Sequence, residues 1–157
     1  MTPRRTSLPR QRTRAAPALA AALLALAAPS ARPAAAQGAQ PPIRLELNRL
    51  EARAEGCRVW LVLGNPGSEA LDPFRLDLVL FGRDGVVSRR LAVDAGPLPA
   101  GKTSARIFDV PGLACDGVGS VLLNDVLACG GTGADQRAAC VSRAALSSRA
   151  DGVPFEK

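Results

Sequence analysis

A chain of 157 residues has the size of one domain, and its 20 Lys plus Arg against 14 Asp plus Glu give a formal charge of +6. It contains no His and no Tyr. The missing imidazole excludes Ser-His-Asp and Cys-His catalysis, the usual general base near neutral pH, and every metal site that needs a histidine ligand.

The charge excess is concentrated at the front. Arg4, Arg5, Arg10, Arg12 and Arg14 form a basic segment, the Ala/Leu run from Ala15 to Ala28 follows, and Ala34-Ala35-Ala36 offers an Ala-x-Ala cleavage point between Ala36 and Gln37. Residues 1–36 therefore read as a cleaved signal peptide. The apolar run is broken by Pro17 and falls short of the about 20 residues a membrane span needs. The pair Arg4-Arg5, with Leu8 three positions on, fits a twin-arginine translocation signal. No Cys lies near the cleavage point, so no lipid anchor is expected there. Residues 1–36 carry six arginines and no acid, so the mature chain holds 14 basic against 14 acidic groups. A neutral chain gives nucleic acid no electrostatic footing, and no transmembrane segment is expected after cleavage.

A leader, residues 37–42, precedes short apolar runs with period two. Ile43, Leu45 and Leu47 alternate with Arg44 and Glu46; Cys57, Val59, Leu61 and Leu63 share one strand face; Leu76, Leu78 and Leu80 share another. Further strands are read over Val86 to Val93, Ser104 to Val110, Ser120 to Ala128 and about Ala139 to Leu146. Turn signals such as Asn65-Pro66-Gly67, Asp84-Gly85 and Pro111-Gly112 separate them, and no segment reads as a long amphipathic helix. The expected fold is all-β: a single immunoglobulin-like antiparallel β-sandwich of about seven strands over residues 43–148, with a tail, 149–157, that packs through Val153 and Phe155.

Two strands are apolar on both faces. Trp60 and Val62 oppose Val59 and Leu61, and Val79 and Phe81 oppose Leu78 and Leu80, although only one face of each strand can line the space between two sheets. Either the tail, the leader or a loop covers the second face, or Trp60, Val62, Val79 and Phe81 form a partner-binding surface.

Cys57, Cys115, Cys129 and Cys140 read as two disulfides in an oxidising compartment. Three pairings are possible; Cys57 with Cys115 and Cys129 with Cys140 is favoured, because the latter two flank a short Gly-rich loop. The C-x-x-C spacing of a zinc knuckle or a redox pair is absent, and neither metal nor cofactor is expected. Gly96 to Thr103 satisfies the G-x-x-x-x-G-K-T spacing of a phosphate-binding loop, but Pro97 and Pro99 remove two backbone donors and a strand follows, so it is read as a turn. Gly130-Gly131-Thr132-Gly133 is read as a hairpin loop with a disulfide at its base. Asp84, Asp109, Asp116 and Asp125 form no calcium loop and read as solvated surface. Asn124 and Asp125 interrupt an apolar strand and are read as a structural polar pair holding a neighbouring backbone, such as the segment around Cys115.

Leu76 to Phe81, Arg89 to Val93, Pro97 to Thr103, Gly112 to Asp116, Leu122 to Val126 and Gly152 to Phe155 together resemble exported proteobacterial proteins described by a "Tat pathway signal sequence domain". The resemblance covers roughly the whole mature chain and all four cysteines. It implies a periplasmic location and brings no assigned activity, ligand or catalytic residue. The expected role is a non-catalytic periplasmic binding or accessory module whose partner is another envelope protein. The alternatives are a hydrolase or ligand-processing enzyme built on Asp and Asn side chains, which would need a concave pocket around them, and a structural envelope protein.

Overall fold

The computed structural model of the protein describes residues 40–157. Arg4, Arg5, Leu8 and the cleavage point Ala36/Gln37 lie outside the described residues. From residue 43 onward the period-two alternation becomes two four-stranded sheets. The first has the order β5-β2-β1-β7, from β1 (Ile43–Arg53), β2 (Gly56–Asn65), β5 (Lys102–Pro111) and β7 (Ala144–Ser148). The second has the order β4-β3-β6-β8, from β3 (Phe74–Gly82), β4 (Val87–Asp94), β6 (Val118–Cys129) and β8 (Phe155–Glu156).

Successive strand residues point to opposite faces, so one alternate set from each sheet can be buried. Ile43, Leu45, Leu47, Val59, Leu61 and Leu63 from the first sheet, and Leu76, Leu78, Leu80, Val121, Leu123 and Val126 from the second, form one buried core. Each fully buried side chain of this kind contributes about 1.5–3 kcal/mol of transfer free energy, which makes the alternation the main determinant of the fold.

The sheets are not antiparallel throughout. β7 runs parallel to β1 and β8 parallel to β6, whereas the other pairings are antiparallel. The parallel β1–β7 pair follows from a second departure. The strand expected over Ala139 to Leu146 begins as a helix, α1 (Ala134–Arg143), before β7 starts at Ala144. Ala134, Ala138 and Ala139 are strong helix formers, Asp135 and Arg143 sit at the helix ends that favour their charges, and Cys140 is its buried anchor. Lys157 Nζ caps the helix by donating to the carbonyls of Val141 at 3.0 Å, Ser142 at 3.3 Å and Ala144 at 2.6 Å. Gly130 to Gly133 accordingly leads from a strand into a helix and is not a hairpin loop.

The expected tail is an integral element. Val153 and Phe155 are buried, Phe155 lies in β8, and Val121 N–H donates to Pro154 O at 2.9 Å. Cys57 of β2 is bonded to Cys115 in the 3₁₀ turn Cys115–Gly117, and Cys129 at the end of β6 to Cys140 of α1. One bridge therefore stands at each end of β6. Among the described residues, no helix is long and apolar enough to cross a membrane.

Candidate functional site

Register decides which side chains share an outer face. On the first sheet, Trp60 lies between Ile107 of β5 and Arg49 of β1, and the next row runs Ala105, Val62, Glu46 and Ser147. Trp60 is half-buried, and Ile107 is 49% exposed. The indole is held in place. Its Nε1–H donates to Glu51 Oε2 at 3.0 Å, and the Arg49 guanidinium carbon lies 4.9 Å from the ring centroid. Arg49 and Arg53 both bridge to Glu51, at 3.0 and 3.2 Å. The Arg49 guanidinium therefore lies over the ring.

A shallow groove of about 260 Å³ continues this face, lined by Arg44, Glu46, Val62, Gly64, Ala145 and Ser147 among others. Gly64 has no side chain to fill it, and a Cβ there would sit 2.8 Å from Arg44 Nε. Below Trp60, Arg58 donates to both oxygens of Asp109, at 2.7 and 2.9 Å. These bonds hold the Asp109 carboxyl below its usual range.

Val79 and Phe81 occupy the outer face of the other sheet. Val79 lies between Arg90 and Leu122 and is 8% exposed; Phe81 lies opposite Val87 and Ser120 and is half-buried. Beside it Val86 and Val87 are 62% and 57% exposed. The four residues read as one partner surface thus divide into two pairs on opposite sides of the sandwich. Trp60 and Val62 are brought together with Ile107 and Arg49; Val79 and Phe81 are not brought to them.

Asn124 and Asp125 also lie differently from expectation. Asn124 is exposed and donates through Nδ2 to Asp77 Oδ2 at 2.6 Å, not to the backbone around Cys115. Asp125 accepts from Val126 N–H at 2.7 Å and from Arg137 at 3.4 Å. Asp77, which the sequence reading passed over, is 3% exposed and accepts a bidentate pair from Arg90, Nε to Oδ1 at 3.0 Å and Nη2 to Oδ2 at 2.7 Å. The signal was a single carboxylate in the run Leu76 to Phe81.

The acids considered for catalysis are dispersed. Asp84 accepts from Val86 N–H within its turn, and Asp109 is engaged by Arg58. Asp116 lines a depression of about 730 Å³ at the β1–β2 turn and Asp109 one of about 510 Å³ beside it; Asn124 and Asp125 line neither. Among the described residues, no three Asp, Glu, Cys or His side chains gather as a metal cluster. Gly96 to Gly101 lies in the link from β4 to β5, and Lys102 and Thr103 already begin β5; the link is tied by reciprocal backbone bonds between Leu71 and Leu98 at 3.0 Å and by Asn65 Nδ2 donating to Leu98 O at 3.2 Å. A strand follows it, not the helix a phosphate loop requires. Compared with family models, with curated proteins and with solved structures, the chain finds no match.

Proposed function

We propose that this protein is a non-catalytic binding or accessory module of the periplasm, an immunoglobulin-like sandwich that offers the outer face of its first sheet to another envelope protein. The observation that carries the reading is Trp60: a half-buried indole beside an exposed Ile107, braced by Arg49 above and Glu51 at its N–H. Trp and Arg are the residues most enriched at the energetic centres of protein interfaces, and a braced side chain loses little conformational entropy on binding. Periplasmic location is supported by the two disulfides, which persist in oxidising compartments, together with the N-terminal Arg4-Arg5-x-x-Leu8 pattern.

The test is affinity capture of the tagged, exported protein from its own envelope. Trp60→Asp and Phe81→Asp are made separately, because the two side chains stand on opposite faces. A stoichiometric partner lost with Trp60→Asp and kept with Phe81→Asp, both variants being folded by circular dichroism, supports the reading. A partner retained by Trp60→Asp overturns it.

A further inference from the structure

Edge strands expose a row of unpaired N–H and C=O groups, and proteins usually blunt them with charges, bulges, prolines or brevity. Three of the four edges here are blunted. β8 has two residues and β7 five; β4 carries Arg89 and Arg90 and pairs with β3 through a bulge. β5 also carries charges, Lys102, Arg106 and Asp109, but it differs in length and regularity: it has 10 residues and pairs with β2 without a register shift, whereas β1–β2, β3–β4 and β3–β6 are all interrupted. At its centre the side chain facing out is Ile107, 49% exposed.

We infer that two copies of this chain pair through β5, edge to edge and antiparallel, about a two-fold axis at Ile107. This goes beyond the partner-binding reading and does not depend on it. An isologous contact must be self-complementary, and this register is. Ile107 meets Ile107 of the second copy, so the outer face reads Trp60, Ile107, Ile107, Trp60 across the join. Counting outward from the axis, Asp109 falls opposite Ala105, Arg106 opposite Phe108 and Lys102 opposite Gly112, so no like charges meet along the strand. The axis shifted one residue to Arg106 would set two guanidinium groups against each other and is disfavoured. On the inner side, Phe108 is only partly covered, and Arg106 already reaches across the open edge to donate to Ala95 O at 3.0 Å and Pro97 O at 2.8 Å. A second β5 would lie over this edge, with Arg106 of one copy above Phe108 of the other.

Sedimentation equilibrium on the purified chain, with both disulfides formed, tests the inference alongside three variants. The unaltered chain should be a dimer at micromolar concentration. Ile107→Lys, at an exposed position, should retain its circular dichroism and cooperative unfolding while its dimer dissociation constant rises by at least about tenfold. Mild oxidation should join two copies of Ile107→Cys, with peptide mapping confirming the native bridges. It should leave Thr103→Cys unjoined, because those positions would lie roughly 27 Å apart at about 3.4 Å per residue. A monomer at all concentrations, a dimer untouched by Ile107→Lys, or equal cross-linking of the two cysteine variants would each overturn it. None of these outcomes depends on whether Trp60 captures an envelope partner.

Discussion

The Asp77 carboxylate takes both bonds of the Arg90 guanidinium although Arg90 sits opposite Val79 in the β3–β4 ladder, one row away. From the other neighbouring strand, β6, Asn124 donates to the same carboxylate at 2.6 Å. Three strands of the second sheet are thereby tied on their outer face by one buried charge.

Asp77→Asn removes that charge but keeps the volume. The expected cost is about 1–3 kcal/mol, the usual value of charged hydrogen bonds that are partly lost in a buried site. Urea denaturation followed by the fluorescence of Trp60 measures it. Arg90→Ala should also destabilise the fold, because it leaves a buried carboxylate with Asn124 alone.

Acid should act through the same group. The Arg90 hydrogen bond, helped by the Asn124 bond and the Arg90 charge and opposed by burial, holds the Asp77 carboxyl below its usual range; Asn48 first, then Arg149, does the same for Glu46. A folded-state pKa below the unfolded one means that the unfolded chain binds more protons at low pH. The stabilisation is therefore complete above the unfolded values of about 3.9 for Asp and 4.3 for Glu, and is lost as pH falls through the folded values. With no His in the chain, the urea midpoint should stay level from pH 8 to about 5 and fall below about 4. Asp77→Asn should fall less steeply; a sloping midpoint between pH 6 and 8 would contradict this account.

Chain-entropy arguments rank the two bridges. Closing the 11-residue separation of Cys129 and Cys140 contributes roughly 2.8 kcal/mol, and closing the 58-residue separation of Cys57 and Cys115 roughly 4.2 kcal/mol. The double variant Cys57→Ser/Cys115→Ser should thus lose more stability than Cys129→Ser/Cys140→Ser. Thermal unfolding of both without reductant checks the order.

Two glycines should respond differently to one methyl group. At Gly64 the added carbon crowds only the far end of Arg44, which can swing into solvent, while the Arg44 Cβ stays at ordinary contact, 3.4 Å, so Gly64→Ala should be neutral or stabilise by up to about 1 kcal/mol. At Gly119 it would strike the backbone carbonyl of Gly82 across the β3–β6 ladder, and Gly119→Ala should cost about 1–3 kcal/mol. Denaturation curves for the pair decide the matter, and equal effects would refute it.

The strands were legible because burial of alternate residues is written directly into the chain: Ile43, Leu45 and Leu47 face inward as their spacing requires. Alternation assigns a residue to one side of its own strand, however, and is silent on which sheet the strand joins. That is why Trp60 and Phe81, each on the outward side of its strand, fit one partner surface by sequence and lie on opposite faces. The run Ala139 to Leu146 differs for another reason: a short apolar segment fits either period, and here two groups outside the helix, Lys157 at its end and Cys129 bonded to Cys140, favour it. Asp77 was visible as an isolated charge, but its partners Arg90 and Asn124 are 13 and 47 positions away.

The placement of the bridges at the two ends of β6 also determines what a protease could achieve. A single cut anywhere between Cys57 and Cys115, or in the Gly130–Gly133 link before α1, leaves the fragments covalently joined through the bridge that spans the cut. The nicked molecule would keep its mass on a non-reducing gel and, with the core strands still tethered, its sandwich. Only breaks outside those two intervals, such as one between Cys115 and Cys129 within β6 itself, would separate the chain, and there the backbone is bonded to β3 and difficult to reach.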